Sequence, residues 1–455
     1  MSESSFGTVI KNPGFNNLWI NQILVQLAYN SLNFALIIWV FRLTNSTTAV
    51  SILLLCVYSP AVVLGLFAGV LVDALDRKKI FLFVDFFLAI LFLSLIFLKG
   101  SFPALLLIAF LVNSLAQFYT PAESSSIPLL VKKDQLLKAN SLFSSTLFLT
   151  FLFGFGLSGP IIAIGGINAV FLIGTTSLFL AFILAIRFPP IRSKVTAESK
   201  QLLISFEKRN LSEARALIFA EAKKVLREIK GKPLVLSAIF ILAGVQAIVG
   251  ILGVLSPSFL ERVLQISATD ASYVLIAPLG TGTILGAMLV GRVGNLYPRR
   301  VLVGKAISVA GALLFLVGGA PLISPAIRYF PRHHPLPFFY QPSLSTVLII
   351  GSFLLGLTLA FIIVPSQTVL QENSREQDRG KIFSVLAVAM SAFSILPVLF
   401  VGILADIFGT LPIFIGLGGL IALLGLFILK PDFFFAPHHL PRHIKELLGL
   451  GHWEK

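Results

Sequence analysis

Twelve long apolar runs constrain this chain more strongly than any other feature. Their bounds lie near 15–42, 48–73, 78–98, 103–122, 140–164, 168–188, 234–258, 271–291, 300–320, 345–366, 381–407 and 410–430. A helix needs about 20 apolar residues to cross a bilayer, whereas a membrane β-barrel uses alternating segments of about ten residues. Because the runs are long and continuous, the sequence predicts an all-α polytopic membrane protein with twelve transmembrane helices.

The composition agrees with this class of protein. Of the 455 residues, 56% are hydrophobic and only 12% are charged, which is about half the charged fraction of a soluble domain. The net charge of +15 could indicate a nucleic-acid partner, but the cations lie mostly between the apolar runs, so no such partner is expected. The single cysteine, Cys56, lies inside an apolar run, which leaves no disulfide framework and no thiolate metal site. The polar N-terminus and the long first run do not match a cleavable signal peptide.

The distribution of lysine and arginine predicts the orientation in the membrane. If the N-terminus is cytoplasmic, the outer loops hold five of the 35 cations and the cytoplasmic side holds the other 30. The outer five are Arg42, Lys99, Arg262, Arg328 and Arg332. Cytoplasmic loops of membrane proteins carry the excess of positive residues. We therefore expect a multi-pass protein of the cell (inner or plasma) membrane with both termini in the cytoplasm.

The two halves of the chain repeat one another. Pro60 precedes Gly69 by nine residues, and Pro278 precedes Ala287 by the same interval. Further matches join Pro121-Ala122-Glu123 to Pro365-Ser366-Gln367, and Gly159-Pro160 to Leu396-Pro397. Several matches in register predict a duplicated six-helix unit. Such halves usually hold a substrate site at their interface near the midplane and alternate access by rocking.

This repeat defines four predicted regions. Residues 1–188 and 233–430 are expected to form two pseudo-symmetric six-helix bundles, joined by a cytoplasmic linker at 189–232 and followed by a cytoplasmic tail at 431–455. After Asn210, apolar residues at helical spacing are interleaved with cations, which predicts a basic amphipathic helix on the inner membrane surface or packed on the bundle. His439 and His443 lie four apart in the tail, but Pro441 between them argues against a metal site.

The junction between spans two and three is unusually short. The apolar run ends at Asp73, and cations follow at Arg77, Lys78 and Lys79 before the next run begins. Three small residues would allow another helix to approach this end closely: Gly65, Ala68 and Gly69.

These residues carry a resemblance to a known family. The chain resembles the major facilitator superfamily over nearly its whole length, in particular the drug, siderophore and macrolide efflux branch (transmembrane secretion effector-like). Gly69-x-x-x-Asp73-x-x-Asp76-Arg77-Lys78 is similar to the family motif between spans two and three, with departures at Ala74 and Asp76. Three other segments resemble those of the branch: Phe118 to Pro128, Pro365 to Lys381, and Gly156-Leu157-Ser158-Gly159-Pro160, the exporter-associated motif of span five.

The resemblance implies a gating latch on the cytoplasmic side. Asp73 stands at a helix C-terminus, where an anion is unfavourable, so it needs a donor or a facing helix N-terminus. In the family, contact with the start of span eleven holds the cytoplasmic side shut; a simple positive loop is the alternative. The latch candidates are Gly69, Asp73, Asp76, Arg77, Lys78, Asp85 and Arg379.

Polar side chains inside the spans indicate a substrate pathway. The candidates are Gln22, Gln26, Asn30 and Asn33 in span one, Asn113 and Gln117 in span four, Gln246 in span seven and Thr358 in span ten. Amides facing lipid would leave hydrogen-bonding groups unpaired at a cost of a few kcal/mol. We therefore expect them to line a cavity or to join neighbouring helices.

No acid lies near the middle of a span, so proton coupling must use a peripheral carboxyl. The candidates for the proton carrier are Glu123 and Asp85, although Glu123 could instead pair with Lys132 or Lys133. A helix-bend motif is expected at Gly159, Pro160 and Pro397.

These observations favour a monomeric secondary exporter of hydrophobic or amphipathic small molecules, such as a drug or siderophore, working by alternating access and proton antiport. A facilitator or flippase for lysophospholipids or other lipid-like solutes is the alternative. The sequence offers no cluster of catalytic residues and no phosphate-binding loop, so we predict neither an enzyme nor a cofactor.

Overall fold

The computed structural model describes residues 6–132, 135–191, 232–293, 297–328, 344–373 and 379–429. In these ranges the chain is helical and contains no strand. The helices are α1 (Phe6–Ile10), α2 (Pro13–Thr44), α3 (Thr47–Ala74), α4 (Arg77–Leu98), α5 (Phe102–Leu130), α6 (Leu136–Ile186), α7 (Pro233–Ser258), α8 (Ala277–Val293), α9 (Arg299–Arg328), α10 (Leu344–Glu372), α11 (Arg379–Phe408) and α12 (Thr410–Leu429). The predicted linker helix and the tail with its histidine pair lie outside the described residues.

The helices confirm the predicted fold class. Within the described part of the chain, eleven helices are long and apolar enough to cross a membrane. One of them, α6, contains two spans, because Gly166 has φ 69° and ψ 177° and interrupts the helix. Glycine adopts such a conformation without the clash that a Cβ would cause. The break falls between the predicted spans 140–164 and 168–188, so the eleven helices provide twelve crossings.

The short junction between spans two and three is also confirmed. α3 ends at Ala74 and α4 begins at Arg77, so only Leu75 and Asp76 join them. Asp76 has extended backbone angles, and its side chain accepts a hydrogen bond from the amide of Lys78 at 3.1 Å. This is an N-cap, which satisfies an amide that a helix start would otherwise leave without a partner.

Two compact units divide the chain. The first comprises the described residues of 1–45, 52–226 and 383–395, and the second those of 46–51, 227–382 and 396–455. In the first unit, α2 packs along α6, and α4 packs against both α5 and α6. Aromatic side chains fill part of this interior: Phe81 lies 5.4 Å, between ring centroids, from both Tyr119 and Phe188.

In the second unit, pairs of helices make close backbone contacts at glycine residues. Here α9 packs against α12, and α8 packs against α10. A Cβ at Gly356 would overlap the carbonyl of Leu279, and a Cβ at Gly311 would overlap the backbone of Ala422. Small residues at such positions let two helix backbones touch, which is how helices associate in a bilayer that offers no hydrophobic driving force between them.

Large apolar side chains cover the outside of the helices. Phe97 is 80% exposed, Ile164 90% and Ile407 67%. In water this surface would be unfavourable, whereas a helix hydrogen-bonds its own backbone and can present such side chains to lipid tails. The exposed surface therefore agrees with a membrane-embedded protein.

Candidate functional site

A cluster of buried polar side chains lies inside the first unit, where four helices meet. Asn21 of α2 and Asp85 of α4 are both 0% exposed, and Tyr119 and Glu123 of α5 are 2% and 4% exposed. We refer to these four residues as the polar cluster. Burying ionisable groups in a membrane protein is costly, and such groups are usually functional.

Asn21 connects the members of the polar cluster. Its side-chain nitrogen donates to Asp85 Oδ2 at 2.7 Å and to the carbonyl of Ala181, in α6, at 2.9 Å. Its side-chain oxygen accepts from the Tyr119 hydroxyl at 2.8 Å. One amide therefore ties together α2, α4, α5 and α6.

The two carboxyl groups of the polar cluster are incompletely hydrogen-bonded. Asp85 Oδ1 and Glu123 Oε1 are buried, and neither has a hydrogen-bond partner among the described residues. Asn21 joins Asp85 to Tyr119, and Glu123 lies one helical turn beyond Tyr119 on α5. Two neighbouring carboxylates in a water-poor interior repel each other, so such a pair is a natural place to hold an exchangeable proton.

The start of α4 lies two helical turns before Asp85, and its charged residues bond it to neighbouring helices. Arg77 is only 2% exposed, and its Nε donates to the hydroxyl of Ser125, in α5, at 2.7 Å. Lys78 Nζ donates to the carbonyls of Ile186 and Phe188 at 2.8 and 2.7 Å. The cation of Lys78 thus stabilises the C-terminal end of α6, where free carbonyls carry partial negative charge.

Asp76 completes the same connection. In addition to capping α4, its carboxylate accepts from the amide of Ile191 at 3.2 Å, and the amide of Arg77 donates to the carbonyl of Ile191 at 3.0 Å. Asp76 and Lys78, both latch candidates, therefore join the start of α4 to the segment that follows α6.

The other latch candidates are placed as follows. The side chains of Asp73 and Arg379 lie outside the described part of the structure. Gly65 does lie close to a neighbouring helix, since a Cβ there would stand 3.2 Å from Val388 in α11, whereas a Cβ at Gly69 would meet no atom within 4 Å. Asp85 belongs to the polar cluster, two helical turns from Arg77.

The amides of span one separate into two groups. Gln22 is fully buried, and its nitrogen lies 3.4 Å from the carbonyl of Phe143 in α6; Asn30 is also buried, and its Cβ would lie 2.6 Å from a Cβ at Gly154. These two contact α6. Gln26 and Asn33 are half-buried, and Asn33 donates to the carbonyl of Tyr29 in its own helix at 3.1 Å.

The remaining cavity candidates are bonded within their own helices or half-buried. Asn113 donates to the carbonyl of Ala109 at 2.8 Å and accepts from the hydroxyl of Tyr29 at 2.5 Å. Gln117 lies 3.3 Å from the carbonyl of Asn113, and Thr358 donates to that of Leu355 at 2.8 Å. Gln246 is half-buried.

The helix-bend motif lies inside continuous helix. Pro160 is an interior residue of α6, and Pro397 is an interior residue of α11. The backbone break in α6 occurs at Gly166, six residues beyond Pro160.

A second polar arrangement involves Asp406, close to the end of α11, and the start of α3. The carboxylate accepts from the amides of Thr47 at 3.0 Å and Thr48 at 2.8 Å, and from the hydroxyl of Ser46 at 2.8 Å. Arg262 adds an ion pair at 3.5 Å. Asp406 thus acts as an N-cap for a different helix, at the positive end of the helix dipole.

Sequence reasoning missed two residues of the polar cluster: Asn21 and Tyr119. Asn21 directly precedes Gln22 and falls on another face of span one, outside the stripe formed by the four amides. Tyr119 lies four residues before Glu123 and could have been found as its neighbour on one helix face. The contact of Asn21 with Asp85 joins residues 64 positions apart, and no spacing rule within one helix predicts it.

The fold defines a class of protein, a polytopic helical membrane protein. Residues 18–331 match the sequence model of the Major Facilitator Superfamily. This match covers more than half of the chain, so the chain belongs to the Major Facilitator Superfamily.

Several relatives are named for efflux. BacE of Bacillus subtilis strain 168, a protein proposed to export bacilysin, is 27% identical over 345 residues, which cover 74% of this chain and 76% of BacE. Macrolide efflux protein A of Streptococcus pyogenes is 22% identical over 387 residues, covering 83% of this chain and 85% of that protein.

Solved structures share the fold. A bacterial homologue of the human lysosomal transporter Spinster superposes with a TM-score of 0.64 at 17% identity, covering 97% of this chain and 98% of the homologue. An auto-inhibited peptide transporter of the POT family gives a TM-score of 0.66 at 13% identity, with coverage of 94% and 98%. These structures show that the fold is shared, and the match of residues 18–331 to the family model confirms the predicted membership of this superfamily.

Proposed function

We propose that this transporter exports hydrophobic or amphipathic small molecules by alternating access, in exchange for protons that bind at Asp85 and Glu123. The observation that carries the proposal is the pair of buried carboxyl groups, each with an oxygen that lacks a partner in the described structure. The efflux names of the relatives support the direction and the substrate class. The protein is proposed to work as a monomer with both termini in the cytoplasm.

The apolar character of the spans supports a bulky, poorly hydrated substrate. Most described polar side chains in the spans are bonded to their own helix or to a neighbouring one, which leaves few groups to recognise a sugar or a peptide. Gln26 and Gln246 are half-buried amides and are proposed as direct substrate contacts. The proposed latch at Asp73 and the start of α11 would hold one side closed while the proton site exchanges.

The test is transport in proteoliposomes, with and without an imposed pH gradient. Two probes separate the candidate substrates: erythromycin, a macrolide, and a fluorescent lysophosphatidylcholine. We expect erythromycin accumulation that requires the pH gradient and is lost in Asp85→Asn, with Ser94→Ala as a matched control on the same helix. Ser94 is half-buried and bonds only within α4, to the carbonyl of Leu91.

Two results would contradict this proposal. Erythromycin accumulation that is equal with and without the pH gradient would contradict the proposed exchange with protons. Movement of the lysolipid without any erythromycin signal, independent of pH, would favour a lipid facilitator instead.

A further inference from the structure

The hydrogen bonds around Asn21 have a direction that chemistry fixes. The carbonyl of Ala181 can only accept, so the nitrogen of the Asn21 amide must face it. The same nitrogen lies 2.7 Å from Asp85 Oδ2. The amide oxygen therefore faces Tyr119, whose hydroxyl must be the donor. The flipped amide would place its oxygen against a carbonyl and a carboxylate, and is excluded.

This direction distinguishes the two oxygens of Asp85. Oδ2 accepts a hydrogen bond from Asn21, and it can do so whether the carboxyl group is charged or neutral. In a neutral carboxyl group the carbonyl oxygen is a stronger acceptor than the hydroxyl oxygen, so the N–H of Asn21 favours the form in which Oδ2 is the carbonyl oxygen. The proton of a neutral Asp85 therefore belongs on Oδ1, the buried oxygen that has no partner among the described residues.

Tyr119 places the second carboxyl group in the same arrangement. It lies one helical turn before Glu123 on α5, just as Phe81 lies one turn before Asp85 on α4. The rings of Phe81 and Tyr119 meet edge to face, at an interplanar angle of 79°. Each helix thus presents an aromatic ring and a carboxyl group at the same spacing, and the Tyr119 hydroxyl links this pair to Asn21.

We propose that Asn21 is a positioning residue, which directs the coupling proton to Oδ1 of Asp85, and that Tyr119 orients Asn21. This inference rests on the proton exchange proposed above and assigns its geometry. In the step itself, a proton from water binds Oδ1 and the neutral acid forms; on release, the same O–H bond breaks and the proton returns to water. Asn21 and Tyr119 keep their own protons throughout.

The groups around Asp85 determine the sign of the expected effect. From α5 it faces Tyr119 and Glu123, and its own helix contributes Arg77 two turns away. α2 and α6 contribute neutral groups, the amide of Asn21 and the carbonyl of Ala181. An N–H donor stabilises a carboxylate more than a neutral acid. Loss of the Asn21 donor should therefore move the pH midpoint of transport upward, by about one pH unit.

The experiment is the pH dependence of erythromycin transport in proteoliposomes. Tyr119→Phe removes one hydroxyl and keeps the ring against Phe81, whereas Asn21→Ala removes the whole link. We expect an upward shift of about one pH unit in Asn21→Ala and a smaller shift in the same direction in Tyr119→Phe. The matched control is Tyr29→Phe, which removes the hydroxyl that donates to Asn113 and should leave the midpoint unchanged, whatever it does to the rate.

The outcomes separate the inference from the function on which it rests. A pH-dependent wild type and loss of gradient-driven transport in Asp85→Asn, together with unchanged midpoints in Tyr119→Phe and Asn21→Ala, would overturn the positioning roles alone. Wild-type transport without pH dependence would overturn proton exchange and these roles together. If Asn21→Ala does not fold, Tyr119→Phe decides, and infrared difference spectra should then show a shifted Asp85 carboxyl band in this variant and not in Tyr29→Phe.

Discussion

The two units use their interiors differently. The first buries two carboxyl groups, an arginine and a hydrogen-bonded amide among aromatic side chains. In the described part of the second unit, the buried polar residues are serines and threonines, and the helices meet through glycine. One unit is therefore rich in buried ionisable groups, and the other is held by close backbone contact. We infer that the first performs the chemistry of coupling and the second provides a rigid frame.

Corresponding charged residues show the same contrast. Arg77 and Arg299 are the first residues of α4 and α9, the third and ninth spans, which the predicted repeat would make equivalent. Arg77 is buried against Ser125. Arg299 forms a two-pronged ion pair with Glu372 at 2.5 and 2.9 Å, but the two side chains are 31% and 52% exposed. The same position carries an interior contact in one unit and a surface ion pair in the other.

The largest expected effect concerns the close helix contacts at glycine residues of the second unit. Gly356→Ala would place a Cβ on the carbonyl of Leu279, so α8 and α10 must separate. We expect a loss of about 3 kcal/mol or more, seen as poor recovery of monodisperse protein and a lower melting temperature in detergent. Gly244→Ala in α7 meets no atom within 4 Å and should behave as wild type.

A first-unit variant sharpens this result. A Cβ at Gly174 would approach the ring of Phe92 at 2.6 Å, and a side chain can move where a backbone cannot. Gly174→Ala should therefore destabilise less than Gly356→Ala. Equal losses in both variants would contradict the distinction between the two units.

The second prediction removes the proton site. Asp85→Asn keeps an acceptor for Asn21 but can no longer exchange a proton, so gradient-driven erythromycin transport should fall at least about tenfold, as expected for a buried functional acid. The melting temperature should stay close to that of wild type. Glu372→Gln in the second unit changes an exposed carboxyl group and should retain transport. If Asp85→Asn transports normally while Glu372→Gln does not, the roles of the two units are reversed.

The third prediction compares the two arginines. Arg77→Ala removes a buried guanidinium and leaves the hydroxyl of Ser125 without its charged partner, which costs about 2 kcal/mol. Arg299→Ala breaks a surface ion pair, which is worth about 1 kcal/mol or less. Thermal unfolding in detergent at low and high salt measures both, and only the Arg299 variant should converge with wild type as salt screens its pair. Similar losses for both variants at every salt concentration would count against the contrast.

The smallest effect is expected at Asp406. This carboxylate and the start of α3 both belong to the second unit, and both carboxylate oxygens accept hydrogen bonds there, unlike those of Asp85. Asp406→Ala should cost about 1 kcal/mol through loss of the cap, measured as a lower melting temperature. Asp406→Asn retains a capping side chain and should lose less. A transport defect in Asp406→Asn as severe as that of Asp85→Asn would show that a partnered carboxyl group matters as much as an unpartnered one.

The sequence predicted the fold well because its signals are local. Run length and apolar composition fixed twelve crossings, and Gly166 marks the break between spans five and six. The candidate site was harder to predict from the sequence. Asp85 and Glu123 were identified as acids near span ends, but Asn21 joins the cluster only because α2 packs along α6 and against α5, which lets its side chain reach Asp85 of α4. The spacing of the amides in span one places them on one face of the helix but does not identify the helix that this face contacts. It therefore could not show that Gln22 and Asn30 contact α6 while Gln26 is half-buried.

The most direct test of the central claim is proton release on substrate binding. Purified protein in weakly buffered detergent solution, with a pH-sensitive dye, receives erythromycin while binding is followed in parallel. The account predicts that wild type releases a proton as erythromycin binds, and that Asp85→Asn binds erythromycin and releases none. Equal proton release by wild type and Asp85→Asn would contradict the assignment of coupling to the polar cluster of the first unit.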